Sequence, residues 1–387
     1  MRGFALHFFF LFANTAVFFP YSPLFLRARG FSHAQVGLLL GVLRFAGIAG
    51  PLLIGGMADR TRRYRLLLQL SLTVSVLFMV PLQFLGSAWA FVPFLVFIGA
   101  GYGALIPLSD ALANRELPDP IHSYGRVRLF GSLGFIVCSL ALQLFRLIDS
   151  SSSLSILLNF AVVSAIYLAA MFFLPARCSV PAEAGRSDAP KPRFGGPFWF
   201  GILIIFLGAF TMTGVNSFFS LYVQEGLGWK RSVSLLWAIG AAAEAPLFYY
   251  SGRLIHRWGL RATFLASLAA MIVRMLIYAL APVLWIVAAA QLLHSLTFGL
   301  FQASIIQFVN RTVPRSRIAL GMAVANTLGW GLSSLIGSMV GGYLIEKLGF
   351  SLFHVLYALP AAAGLVLLSA SRKGMRAAAL ASAPLRT

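Results

Sequence analysis

Twelve stretches of this chain stay apolar for about twenty residues or more, and no other feature limits the fold as tightly. They cover roughly 3–26, 35–57, 66–86, 88–113, 125–147, 152–174, 198–223, 232–253, 262–280, 282–310, 318–345 and 350–370. An α-helix needs about 20 apolar residues to cross the hydrocarbon core of a bilayer. No water reaches the peptide groups there, so a spanning segment must satisfy its own backbone, and a helix does so. Composition agrees: 10% of the 387 residues are charged, where a soluble chain carries about 25%. The chain is read as an all-α membrane protein with twelve transmembrane helices. Its first apolar stretch, from Gly3 to Leu26, is too long for the core of a cleaved leader and lacks a small-x-small cleavage site. It is expected to remain as the first span.

A net charge of +20 would suit a nucleic-acid partner. The basic residues, however, are spread over short loops, with no single basic face and no aromatic stacking module, and nucleic acid is excluded. Their placement reads as topology. With the N-terminus inside, 22 of the 30 lysines and arginines face the cytoplasm and 6 face outward, leaving Arg44 and Arg274 within spans. Both termini are therefore expected on the cytoplasmic side of the cell (inner) membrane. Cys138 and Cys178 have neither metal-ligand spacing nor a disulfide framework, and no metal or cofactor is expected.

The longest loop, "PARCSVPAEAGRSDAPKPRFGG" over 175–196, has the composition of a flexible linker. It divides the chain into an N-terminal six-helix half, 1–174, and a C-terminal half, 197–371, followed by a cytoplasmic tail, 372–387. The halves echo each other. "GGMADRTRRYR" (55–65) returns as "SGRLIHRWGLR" (251–261), and "PLFLRARGF" (23–31) as "SLYVQEGLGW" (220–229), with matching residues such as Gly55 and Gly252, or Gly30 and Gly228, 197 to 198 residues apart. Duplicated six-helix halves are the architecture of a transporter that rocks around a central site.

Twelve spans, a central loop and G-x-x-x-D-R after span two, echoed after span eight, resemble the major facilitator superfamily. The resemblance implies a conformational latch built from Gly55, Asp59, Arg60 and Arg63, with Gly252 and Arg257 in the second copy. Where the family motif carries a glycine after Asp-Arg-x, this chain has Arg62, and the basic residues here also satisfy the positive-inside rule alone. "PLSDALAN" (107–114), "YGRVRLFGS" (124–132), "AAAEAPLF" (241–248), "IVRMLIY" (272–278) and "QLLHSLTFG" (291–299) are similar to the lactose permease-like and phenylpropionate transporter-like branch. Asp110 precedes Arg128 by eighteen residues, the spacing of that branch's charged pair for substrate. His294 aligns with the histidine of span ten. The glutamate expected one turn after it is Thr297, and Gln291 replaces the lysine one turn before, so proton coupling would fall to Glu244, His294 and Asp110.

A charge at membrane depth costs several kcal/mol unless paired or hydrated, which marks it as functional by default. Arg44, Glu244, Arg274 and His294 lie near the middle of their spans, with Asp110 and Arg128 nearer the cytoplasm. Arg126 reads as an interfacial anchor and Arg128 as a site residue. Glu244 is the candidate proton carrier, with a permanent Glu244–Arg274 ion pair as the bland alternative. Arg44, Arg128 and Arg274 outnumber the carboxylates Asp110 and Glu244, and an anion would balance the excess. Arg44, without an acidic partner in its own half, is the candidate carboxylate contact; Asp110, Arg128 and Arg274 are further candidate substrate contacts, and Asn14 and Asn216 candidate polar ones.

These observations lead to a monomeric secondary active transporter working by alternating access. It would couple protons to symport of a small organic solute, preferably an aromatic or other organic acid such as 3-phenylpropionate, with a sugar or nucleoside as the alternative. A polytopic membrane enzyme would need clustered acidic ligands or a nucleophile–base pair, and ten scattered acidic residues do not supply them. No nucleotide-binding loop is present.

Overall fold

The computed structural model describes residues 1–117, 119–179, 194–314 and 317–371. Most of the expected central loop, 180–193, and the tail, 372–387, lie outside the described residues.

Every regular element among the described residues is helical. The first six helices are α1 (Arg2–Ala28), α2 (His33–Thr61), α3 (Tyr64–Met79), α4 (Ala88–Glu116), α5 (Pro120–Leu144) and α6 (Ser153–Met171). Then come α7 (Gly196–Leu221), α8 (Val233–Trp258), α9 (Leu260–Leu280) and α10 (Leu284–Thr312), followed by α11 (318–348) and α12 (350–370). Length and apolarity alone pick out ten spans, or eleven when the two segments of α8, broken after Leu247, are joined. The count reaches twelve because 320–370, continuous by hydrogen bonding, turns at Gly349, whose φ of 75° and ψ of 175° are not helical. Glycine takes that conformation without steric cost, and it separates α11 from α12. Pro246 lies one residue before the end of the first α8 segment; a proline inside a helix removes one backbone bond and crowds the preceding turn.

The chain forms two compact units. One holds residues 1–179 with Ser217–Ala242 and Ser338–Lys347; the other holds 194–216, 243–314, 317–337 and 348–371. In the first, α2 packs along α4, α1 along α5 and α6, and α3 against α4 and α6. The core between α1, α3, α4 and α6 is built from Phe4, Phe8, Tyr64, Leu68, Leu105, Leu112, Tyr167 and Met171. In the second, α9 packs on α10, and Phe264 meets Phe301 edge to face at 5.7 Å.

Candidate functional site

The second unit holds its charges in a closed network. Arg274 and Tyr278 stand one helical turn apart on α9. Gln291, His294 and Thr297 follow at intervals of three on α10, where a 3₁₀ turn (Gln291–Leu293) precedes a π turn (Ser295–Leu300). Residues three apart share a face, so all three reach the guanidinium. Arg274 donates from Nε to the Tyr278 hydroxyl at 2.8 Å, and from Nη2 to Gln291 Oε1 at 2.6 Å. Its Nη1 donates to His294 Nδ1 at 2.9 Å and to Thr297 Oγ1 at 3.0 Å, and Gln291 Nε2 donates to the Tyr278 hydroxyl at 2.9 Å. At 1% exposure the cation survives burial because these hydrogen bonds replace hydration.

This arrangement assigns the His294 tautomer. A guanidinium only donates, so Nδ1 must accept, and the ring proton sits on Nε2. That nitrogen lies 2.6 Å from Glu244 Oε1. Glu244 and Arg274 thus do not pair directly; His294 bridges them.

The charges of the first unit are more loosely held. On α5, Tyr124 and Arg128 are one turn apart and face Asp110 of α4. The Tyr124 hydroxyl donates to Asp110 Oδ1 at 2.9 Å, while Arg128 Nε is 4.0 Å from the same oxygen. The guanidinium lies over the Phe12 ring, 4.0 Å from its centroid. Both charged side chains are about one-third exposed. Arg126, two residues before Arg128, is exposed on another face of α5.

Further along the same unit, the Arg44 guanidinium sits 4.5 Å over the ring of Phe19. Phe19 meets Trp237 edge-on at 5.4 Å, Trp237 meets Phe219 likewise at 5.7 Å, and the Trp237 indole donates to Ser220 Oγ at 3.0 Å. Asn14 is buried; it donates to Ser164 Oγ at 2.7 Å and accepts from the Tyr102 hydroxyl at 2.9 Å. Asn216 lies half-buried in α7.

Contacts that tie α1 and α2 to the ends of α7, α8 and α11 lie wholly within the first unit. Arg27 Nε donates to Glu225 Oε1 at 2.9 Å, and His33 Nε2 is 2.8 Å from Glu225 Oε2. Arg27 and Glu225 are 198 residues apart, so the two segments that echo each other across the repeat, 23–31 and 220–229, pair with each other. Tyr21 and Ser234 share a hydrogen bond, and the Ala34 N–H donates to Glu346 Oε2 at 2.9 Å. Gly37 of α2 meets α11 backbone to backbone: a Cβ there would fall 2.2 Å from the Ser338 carbonyl oxygen, and one on Gly342 2.2 Å from that of His33.

At the α2–α3 turn, Asp59 accepts from the Tyr64 hydroxyl and from Arg115 Nη2 at 2.9 Å. Neither Tyr64 nor Arg115 belongs to the G-x-x-x-D-R motif. Arg62 occupies the left-handed helix end with φ 57°, which explains a glycine preference at this position. Arg60, Arg63 and Arg257 are exposed, and Gly55 and Gly252 have open space where a Cβ would go.

Apolar helices of this number and length, with a buried charge network in the second unit and a partly exposed ion pair in the first, are those of a multi-span membrane protein of the major facilitator fold. The MFS_1-like family model matches residues 2–355, and the chain belongs to that family. The maltose permease of Geobacillus stearothermophilus is 28% identical over 97% of this chain and 95% of its own length. The probable 3-phenylpropionic acid transporter of Escherichia coli K12 is 28% identical over 93% of this chain and 96% of its own. The crystal structure of the nucleoside transporter NupG superposes with a TM-score of 0.79 at 16% identity, covering 96% of this chain and 98% of that one. These relatives are transporters, and the chain is a transporter rather than an enzyme.

Proposed function

We propose that the chain is a proton-coupled symporter working by alternating access, and that its substrate is a small organic acid with an aromatic body, of the 3-phenylpropionate class. The observation that carries the coupling is the Glu244–His294–Arg274 network: a carboxylate linked to a buried cation through a histidine of fixed tautomer. Such a carboxylate gains a proton without losing its neighbours' hydrogen bonds. Each sequence half, 1–174 and 197–371, would rock as a body, with both termini cytoplasmic in the inner membrane and a single chain sufficient. The closed contacts at Arg27–Glu225 and Gly37–Gly342 support a state shut at its outward end. Asp59, with Tyr64 and Arg115, would serve as the latch at the other.

Support for an acid comes from Arg44. Its guanidinium lies against a run of aromatic rings, which provides a charge-assisted donor beside apolar walls, the combination a carboxylate on an aromatic body needs. The similarity to a probable 3-phenylpropionic acid transporter supports the same reading. A sugar is the second reading, supported by the maltose permease relative and by rings that a pyranose could stack upon. Binding of 3-phenylpropionate and of its amide at one fixed pH, in wild type and Arg44→Gln, separates them. The acid should bind at least about 10-fold more tightly in wild type, the loss expected for one charge-assisted hydrogen bond, and Arg44→Gln should erase the preference. Equal binding of acid and amide in wild type, or a preference retained by the mutant, overturns the assignment.

A further inference from the structure

One groove belongs to neither charge cluster. It has a cavity volume of about 550 Å³ and runs along one face of α8, from Ala243 through Leu247 and Tyr250 to Arg253, Arg257 and Trp258, with Ser295 of α10 at its edge. Its polarity changes along the helix axis. The 243–247 end is apolar, and the 253–258 end carries two arginines one helical turn apart beside two half-exposed aromatic rings, Tyr250 at 48% and Trp258 at 49%. The Arg253 guanidinium lies 5.7 Å from the Tyr250 ring. Neither Arg253 nor Arg257 enters an ion pair or hydrogen bond among the described residues. From Ala243 to Arg257 an α-helix advances at most about 21 Å, the thickness of one leaflet with its headgroups.

An apolar trough at membrane depth that ends in two guanidinium groups and interfacial aromatics has the dimensions and polarity order of a phospholipid. Arginine binds phosphate oxygens through a planar fork, tyrosine and tryptophan sit at headgroup level, and anionic lipids are drawn to paired basic residues near the surface. A soluble anion would use the arginines and leave the trough empty; a neutral lipid would use the trough and leave the arginine pair without a net negative partner. We propose that this groove on α8 is a binding site for one phospholipid with an anionic headgroup, its phosphate held by Arg253 and Arg257 and an acyl chain lying against Leu247. The site is independent of substrate identity.

The test uses the full-length transporter in detergent, titrated with phosphatidylglycerol or phosphatidylcholine and read by native mass spectrometry. Wild type should retain one phosphatidylglycerol in preference to phosphatidylcholine. The double variant Arg253→Gln/Arg257→Gln should bind phosphatidylglycerol about 30-fold more weakly, the effect of two interfacial arginines. The double lysine variant should stay within about 3-fold of wild type, since point charges also attract phosphate. Leu247→Trp, which fills the trough and keeps both charges, should also lose the lipid, and it decides the matter if the glutamine variant does not assemble. Arg126→Gln, an exposed arginine of the other unit, should change nothing. No preference between the two lipids, undiminished binding in both the glutamine and Leu247→Trp variants, or displacement by millimolar inorganic phosphate at parity with the lipid would overturn the proposal.

Discussion

Two clusters of intramembrane charge, one in each unit, are built on opposite terms. Arg274 is 1% exposed and bonded on every side by neutral groups fixed in place. Arg128 is about one-third exposed, 4.0 Å from Asp110, and rests on the face of Phe12. A guanidinium with all its neighbours satisfied has little left to offer a ligand. One with a long, half-wet ion pair can exchange partners at small cost, because the solvent already weakens that pair. Under the proposed function, the first arrangement would serve the proton and the second the substrate.

The sharpest way to break this comparison is stability. Arg274→Met should lower the unfolding free energy by about 3–5 kcal/mol, because it strands Tyr278, Gln291 and His294 without their donor. Arg128→Met should cost less than about 1 kcal/mol. Chemical denaturation in one detergent compares them, and similar losses would show that the two clusters do not differ in kind.

Function should divide the same way. Glu244→Gln should reduce uphill accumulation in proteoliposomes to equilibration while substrate exchange continues; full accumulation by that variant would remove Glu244 from the coupling. Arg128→Ala should lower transport about 10- to 100-fold through loss of a charge-assisted contact, and Arg128→Lys should not restore it, since an ammonium lacks the planar fork. An unchanged apparent affinity in Arg128→Ala would return that residue to the role of an interfacial anchor.

The smallest effect concerns Arg27 and Glu225. Their pair is partly exposed, so Glu225→Gln should cost about 0.5–1 kcal/mol. Exchanging the two, Arg27→Glu with Glu225→Arg, should recover part of it, because opposite charges still face each other. Recovery should be incomplete, since His33 then faces a guanidinium instead of a carboxylate. A double variant no better than the sum of the singles would argue against the pairing.

The parts legible from sequence are those a bilayer penalises. Apolar blocks had to be spans, and Arg44, Arg274, Glu244 and Asp110 stood out because charge at that depth is expensive. Their neutral partners did not stand out. Tyr278 looks like any tyrosine in an apolar run, and Gln291 and Thr297 registered only as departures from a family pattern, although they are the groups that hold Arg274. Tyr64 and Arg115 were hidden for another reason: loop arginines are already explained by topology, which masks the one that binds Asp59. Glu225 lies in the segment that echoes the one holding Arg27, but a repeat offset of 197 to 198 points to Gln224 as readily as to Glu225 and says nothing of contact. The division between α11 and α12 rests on one glycine inside otherwise continuous helical hydrogen bonding, and hydropathy located it better than the backbone bonds do.

The meeting of Gly37 with α11 has a kinetic consequence. A seal made of interlocking side chains must unlock rotamers each time it parts and refreeze them each time it forms, and every long side chain so ordered costs about 0.5–2 kcal/mol of conformational entropy. Two backbones touching at glycine carry no such toll, and only weak Cα–H···O contacts are surrendered on separation. Under the proposed alternating access, this end of the molecule would cycle quickly without being loose, and a single added methyl group at Gly37 or Gly342 should slow turnover by holding the contact ajar rather than by weakening the fold.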